Sequence, residues 1–376
     1  MMASKFSTWG NDLYTGKKSY DIVGKRKSYF TVAIICVVLS LAVLGIKKVN
    51  LGIEFHGGSQ FTVTNAHSTD QQLAIDTVTA VLPDEQPRVS NVGTNALRIQ
   101  TNALDEEQVI AVRDALMKTY EVTEDDVASA NVGPSWGKDV SGKALQGLVV
   151  FIILVMIVMA LYFRAWRMAA AAIIALFHDL ILTIGVYALI GWEVTPATVI
   201  GLLTILGYSI YDTVVVFDKV KENTHEITEQ HLFTYAERAN LAVNQTLVRS
   251  INTSVVALLP VGSILFIGTF ILGAGTLRDI ALSLFVGMAV GAYSSIFLAT
   301  PLEVALRMGE PVIAQHTQEV LEQRAARKAG GADQESDTKD PSAVSVGAIR
   351  EQPSATGMIV KGGHQGNRAQ PKRKKK

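Results

Sequence analysis

The residues most able to do chemistry sit where water does not. The stretch from Ala197 to Asn223 reads ATVIGLLTILGYSIYDTVVVFDKVKEN, long enough to cross a bilayer, with Asp212 inside it beside Tyr208, Ser209 and Thr213. A carboxylate near the centre of a spanning helix costs roughly 2.5–3.5 kcal/mol on insertion scales, so it reads by default as a functional group with a partner to be found. The competing reading is an acid at the membrane edge that snorkels to water. Asp218, beside Lys219 and Lys221, suits that reading; Asp212 lies nearly two turns deeper on a short stem. The next apolar run offers a partner, Arg249 in NQTLVRSINTS, where Asn244, Gln245, Ser250, Asn252, Thr253 and Ser254 add a polar face. Polar groups in lipid have to be satisfied by neighbouring helices or internal water. A nearby guanidinium favours the ionised aspartate and burial the protonated one. Where the two nearly balance, small helix movements load and unload a proton, which is the physics of a relay. Arg249 as a plain marker of the membrane edge is the alternative.

His178-Asp179 is a second polar pair inside an apolar run. Neighbours on a helix point about a quarter-turn or more apart, so one of them can face Asp212 while the other faces elsewhere. Hydrogen bonding between helices accounts for the pair as well as proton transfer does. An intramembrane aspartyl protease would need Asp179 and Asp212 as a dyad, but no GxGD motif is present and Arg249 would suppress the shared proton. His56 and His67 are isolated, and no catalytic group, metal site or cofactor is expected. Gly201, Gly207, Gly287 and Gly291 are expected as close-packing positions, and Pro260 as a kink.

The elements that position these residues follow from composition. Of 376 residues, 49% are hydrophobic and 18% charged, below the roughly 25% charged of soluble chains, so a polytopic membrane protein is the class to test. The lone Cys36 rules out an intramolecular disulfide, and any domain outside the membrane needs its own core. Residues 1–28 are polar and basic and read as a leader; residues 29–46 are the first span, uncleaved because Lys47-Lys48 follows it rather than a small-x-small site. Residues 47–143 read as a small α+β domain: a strand at Ser59–Asn65, a helix at Thr69–Leu82, a hairpin of Arg88–Val92 and Ala96–Thr101, a helix at Leu104–Tyr120 and a strand at Asp126–Val132. That βαββαβ order is ferredoxin-like. Five more spans follow at 145–163, 168–190, 197–217, 247–272 and 280–302, with a polar loop at 218–246. Lysine and arginine fall before the first span, between the second and third and the fourth and fifth, and after the sixth, which puts both termini in the cytoplasm and the α+β domain outside. Residues 309–376, poor in bulky apolar side chains and ending Lys372-Arg373-Lys374-Lys375-Lys376, read as a disordered tail. Its basic end suits anionic lipid or ribosomal RNA, or no partner at all.

Three motifs in order, LGIEFHGGSQFTV, LGYSIYDTVVVFDKVKEN and NQTLVRSINTS, resemble the SecF members of the SecD/SecF family over about residues 25–307. The resemblance implies a 1+5 half of an RND-type membrane domain that pairs with a SecD-like subunit. It also implies docking on the SecYEG channel and use of the proton-motive force to promote export of unfolded polypeptides across a bacterial cytoplasmic membrane. No specific nucleic acid is implied. The family's essential intramembrane acid falls on Asp212, its arginine on Arg249, and its glycine pair on Gly57-Gly58. Glu54 and His56 stand where the usual entry has Asp and Thr, which leaves the role of that acid open. Two other classes remain: a scaffold that only stabilises the SecD-like subunit and the channel, and half of a small-molecule exporter.

Overall fold

A computed structural model describes residues 5–92, 95–270 and 275–335. Among these are six helices long and apolar enough to cross a membrane. They are α2 (Arg26–Lys47), α6 (Pro134–Phe163), α7 (Trp166–Ile190), α8 (Pro196–Asn223), α9 (Tyr235–Phe270), and a sixth span made of α10 (Gly275–Ser294), a π-helical segment (Ser295–Ala299) and α11 (Thr300–Arg307). All six expected spans are present, and the helices run past the apolar windows at most ends. α6 starts eleven residues before the window at 145, because Gly133 and Pro134 form an entry that proline pre-organises at N1. α8 opens on a capping box in which Thr195 Oγ1 accepts from the Thr198 amide and Thr198 Oγ1 from the Thr195 amide.

The α+β domain keeps the expected element order: β2 (Gly58–Val63), α4 (Gln71–Val81), β3 (Arg88–Asn91), β4 (Leu97–Thr101), α5 (Glu106–Tyr120) and β5 (Val127–Val132). Its strands lie in the order β3-β4-β2-β5, each neighbouring pair antiparallel. Phe61 and Val63 of β2 and Leu97 and Ile99 of β4 share the face covered by Ala74 and Val78 of α4 and Val112, Leu116 and Tyr120 of α5. The two-residue period of the strands sets that face. Both helices begin slightly later than their patterns suggest, since an aspartate caps each one. Asp70 accepts from the Gln72 amide, and Asp105 forms a capping box with Gln108. The tip of the β3–β4 hairpin, Gly93-Thr94, lies outside the described residues, as does Gly273-Ala274 between the last two spans.

Tyr120 is the only tyrosine between Lys47 and Lys143. Its Oη donates to the Asp70 carbonyl at 3.1 Å, tying α5 to the start of α4. Burial first, and the Asp70 charge second, push the phenol up to about 12 from 10.0. A raised pKa in the folded state stabilises the fold fully below pH 10, and that contribution is lost as pH rises through about 12. Tyr120→Phe is therefore expected to flatten the alkaline fall in stability of this domain between those limits. Chemical denaturation followed at several alkaline pH values measures it, and an unchanged slope contradicts the assignment.

The α+β domain is fastened to the bundle in two places that the sequence patterns do not show. A short parallel pair joins β1 (Asn50–Leu51) to β6 (Glu193–Val194), which precedes α8 directly. The short helix α3 (Ile53–His56) ends at Gly57 (φ 84°) and Gly58 (φ 140°), in the backbone region that favours glycine. A Cβ on Gly57 would stand 2.9 Å from Pro134 Cα, and one on Gly137 would stand 2.8 Å from the Gly57 nitrogen. The glycine pair is thus the turn that lets the domain entry lie against the start of α6.

Three segments differ from expectation. The leader is not featureless: α1 (Lys5–Tyr14) buries Leu13, and Ile22 and Val23 are buried beyond it. Two asparagines one turn apart on α9 hold the irregular segment that follows. Asn240 Oδ1 accepts from the Ile22 and Val23 amides, and Asn244 Oδ1 accepts from the Tyr20 amide. The polar loop expected at 218–246 is largely helix, because Tyr235, Ala239, Ala242 and Val243 face the core; the irregular connection spans 224–234 with a 3₁₀ turn at Ile227–Glu229. The tail expected to be disordered from 309 begins as α12 (Pro311–Glu335). Ile313, His316 and Val320 are buried at helical spacing, His316 Nε2 lies 2.6 Å from the Gln230 carbonyl, and Arg324 pairs with Glu237. Residues 336–376, with the lysine-rich end, lie outside the described residues.

Candidate functional site

Four helices meet around Asp212, which is 4% exposed. Ser250 of α9 donates to its Oδ1 at 2.9 Å, and Ser295, the first residue of the π-helical segment, donates to its Oδ2 at 2.6 Å. A second carboxylate lies nearby, about one helical turn along the bundle. Asp179 of α7, fully buried, accepts on Oδ2 from Ser209 of α8 at 2.6 Å and from Ser294 of α10 at 2.7 Å. His178 Nδ1 is 3.1 Å from Asp179 Oδ1. The two acids thus draw on adjacent serines of one span, and each has its own donors. Among the described residues no hydrogen bond joins the two carboxyl groups, so no proton is shared as in an aspartic dyad.

Arg249 is not the partner of Asp212. It is exposed, its hydrogen bond runs to Tyr211 Oη at 3.5 Å, and among the described residues Asp212 makes no ion pair. The reason is helical phase: Arg249 and Ser250 point about 100° apart on α9, and it is Ser250 that turns inward. Asn252 is likewise exposed, and Thr213 is buried beside Asp212. Tyr208 is half-buried, one turn from Asp212 on α8, while Ser209 serves Asp179 rather than Asp212.

Small residues let the helices come this close. A methyl on Gly291 would stand 3.1 Å from Ser209 Cβ, and methyls on Gly201 and Gly287 would overlap Ser283 and Ile205. Among the described residues, a methyl on Gly207 would meet nothing within 4 Å, and the residue is exposed, so it is not a packing position there. α9 continues as one helix through Pro260.

The serines give the site its chemistry. A hydroxyl both donates and accepts. When Asp212 takes a proton, its new O–H can donate to one serine while that serine turns to donate elsewhere, for instance to a backbone carbonyl such as Ala292 O, 3.2 Å from Ser295 Oγ. Proton gain and loss therefore leave no orphaned polar group in a setting where each would cost about 1–3 kcal/mol. π-helical turns often mark functional positions, and this one begins at the residue that binds Asp212. The sequence patterns missed Ser294-Ser295, although paired hydroxyls in the apolar run AVGAYSSIFLATP carry the same signal as Asp212 itself.

Two further polar nodes lie at the ends of the bundle. Near the α+β domain, Arg98 of β4 pairs with Glu193 of β6 at 2.5 Å, Gln100 donates to the same carboxylate, and Arg278-Asp279 lies alongside. Glu54 of the entry motif is close by, its Oε2 buried without a partner among the described residues. At the opposite end the buried Glu303 accepts from Tyr235 Oη at 2.6 Å with Arg307 3.6 Å away.

Residues 111–309 match the family described as protein export membrane protein SecD/SecF, C-terminal. The chain belongs to the SecD/SecF family. It is 46% identical over 363 residues to the protein translocase subunit SecF of Streptomyces coelicolor, covering 94% of this chain and 97% of that one. It is 40% identical over 331 residues to a SecF of Mycobacterium tuberculosis, covering 85% of this chain and 74% of that one. The crystal structure of SecDF from Thermus thermophilus, a translocon-associated membrane protein, superposes with a TM-score of 0.67 at 31% identity. That match covers 77% of this SecD/SecF-family chain and 39% of the SecDF chain.

Proposed function

We propose that this chain is a SecF-type subunit of the Sec translocase, which pairs with a SecD-type half and a SecYEG channel and uses the proton-motive force to promote export of unfolded polypeptides. Its seat is the cytoplasmic membrane of a bacterium, with both termini in the cytoplasm and the α+β domain outside, as the distribution of Lys and Arg supports. The observation that carries the proposal is Asp212: a carboxylate 4% exposed inside a spanning helix, held by hydroxyls of two other helices that can reverse their hydrogen bonds. Each elementary charge that crosses the field yields about 2.3 kcal/mol per 100 mV, so a few protons supply enough free energy to move a domain.

The test is purification in mild detergent followed by reconstitution. A SecD-type chain and the channel are expected to come along, and vesicles holding the complex are expected to acidify faster than lipid alone under an imposed pH gradient, read with an enclosed pH dye. No co-purifying partner, or acidification at the lipid rate, rejects the proposal. A scaffold without proton traffic is the second reading. It is favoured by the serine hydroxyl that each carboxyl oxygen of Asp212 already accepts from, and it predicts co-purification with acidification at the lipid rate.

A further inference from the structure

We infer that Asp179, with His178 beside it, is a second proton-binding site, set closer to the α+β domain than Asp212, so that protons pass through two carboxylates in series. The inference rests on the relay reading of Asp212 given above. Its first support is position. Asp179 is bonded to Ser209, which precedes Asp212 by three residues on α8, about 4.5 Å of helix rise. α8 runs away from the α+β domain, whose partner strand β6 immediately precedes it. Asp179 is therefore the carboxylate that a proton entering from the domain side meets first.

The second support is an orphaned atom. His178 is 5% exposed, and among the described residues its Nε2 is buried without a hydrogen-bond partner. Buried polar atoms without partners are rare and call for a reason such as an ordered water or a proton. The other ring nitrogen faces Asp179 Oδ1, and Oδ2 already accepts from two serines. With the carboxylate as acceptor, Nδ1 carries the ring proton and Nε2 has its lone pair open. A proton that binds Nε2 makes the imidazolium. The ring then gives its Nδ1 proton to Asp179 Oδ1, which leaves a neutral imidazole and a neutral carboxylic acid. Asp179 passes the proton toward Asp212, and the imidazole, left with its proton on Nε2, exchanges back to the Nδ1–H tautomer before the next proton is taken up.

The serines make that passage short, because Ser294 bonds Asp179 and its neighbour Ser295 bonds Asp212. The titratable groups facing this layer are His178 and Asp179 of α7, with Tyr208 and Asp212 of α8. Tyr293 of α10 and Cys36 of α2 lie together at its side. Arg249 of α9 turns away.

The experiment compares the wild-type complex with Asp179→Asn, His178→Gln, Asp212→Asn and the double aspartate variant, all reconstituted with the partner chains. Two readouts are taken: acidification under a pH gradient across a range of outer pH, and infrared titration of the carboxylic-acid carbonyl band. Asp212→Asn is expected to leave a second titrating carboxyl band that Asp179→Asn removes. Asp179→Asn is expected to slow acidification by roughly 10²-fold, the scale of one acid–base group. His178→Gln is expected to move the pH midpoint of proton entry, which a purely structural loss would not do. If Asp179→Asn fails to assemble, the infrared comparison of wild type with Asp212→Asn and the His178→Gln profile decide alone. No second band in Asp212→Asn, or an unmoved midpoint in His178→Gln, overturns the inference. Normal acidification in Asp212→Asn overturns the relay reading instead.

Discussion

Asp212→Asn is expected to bring proton entry to the lipid background and to remove proton-driven export, while the complex assembles as before. The geometry explains why function and assembly separate. An amide has one oxygen to accept from Ser250 or Ser295, and its NH2 donates to the other serine once that hydroxyl turns. The local hydrogen bonds survive at a cost within about 1.5 kcal/mol, yet nothing at the position can take up or release a proton. Ser295→Ala is the informative companion. It strips one donor from a buried carboxylate, a loss of about 1–3 kcal/mol, and is expected to slow acidification without abolishing it. Parallel measurement of acidification and of co-purified partner decides between outcomes. Full acidification by the Asn variant would leave Asp212 as a structural acid.

The second large effect is expected where the α+β domain meets the bundle. Arg98 and Glu193 are 9% and 12% exposed and form one strong pair, with Gln100 on the same carboxylate. Removing one member of such a pair leaves the other charge stranded, typically about 3–5 kcal/mol. Arg98→Ala or Glu193→Ala is therefore expected to loosen the β1–β6 pair, seen as faster hydrogen exchange at the Gly52 amide, which donates to the Val194 carbonyl at 2.9 Å. The exchanged pair, Arg98→Glu with Glu193→Arg, is expected to recover part of the protection. The core beneath the sheet, around Phe61 and Leu116, is expected to keep its own protection, since no charge enters it. Equal exchange in wild type and single variants would mean that the strands hold the domain without the ion pair.

Much of this architecture is legible in the residues. Spans are readable because backbone in lipid satisfies itself only as helix, so long apolar runs such as Leu145–Phe163 admit one structure. The α+β order is readable because alternation in β2 and β4 and capping by Asp70 and Asp105 agree with each other. Asp212 is legible as an unusual residue because it lies deep in an apolar run. What holds it is not, because contact between helices depends on rotational phase, and one residue of phase separates Arg249 from Ser250. The docking of residues 5–24 on α9 is hidden for a related reason. Asn240 and Asn244 look like a solvated face until the irregular backbone from Tyr20 to Val23 is laid across them. The start of α12 is hidden because two apolar side chains and a histidine in a polar stretch, Ile313, His316 and Val320, form a stripe only once a surface exists to receive it.

α6 runs without a break from the sheet into the bundle. Its thirty residues make a rod of roughly 45 Å, longer than the roughly 30 Å of a hydrocarbon layer. One end is joined through Gly133 to the last strand of the sheet and touched by Gly57, and Ser141 donates to the Phe55 carbonyl a little further along. A stiff boom of this length swings its tip about 0.8 Å for each degree it pivots. Rocking of only a few degrees among the spans thus reappears, enlarged to several ångströms, wherever the sheet is carried.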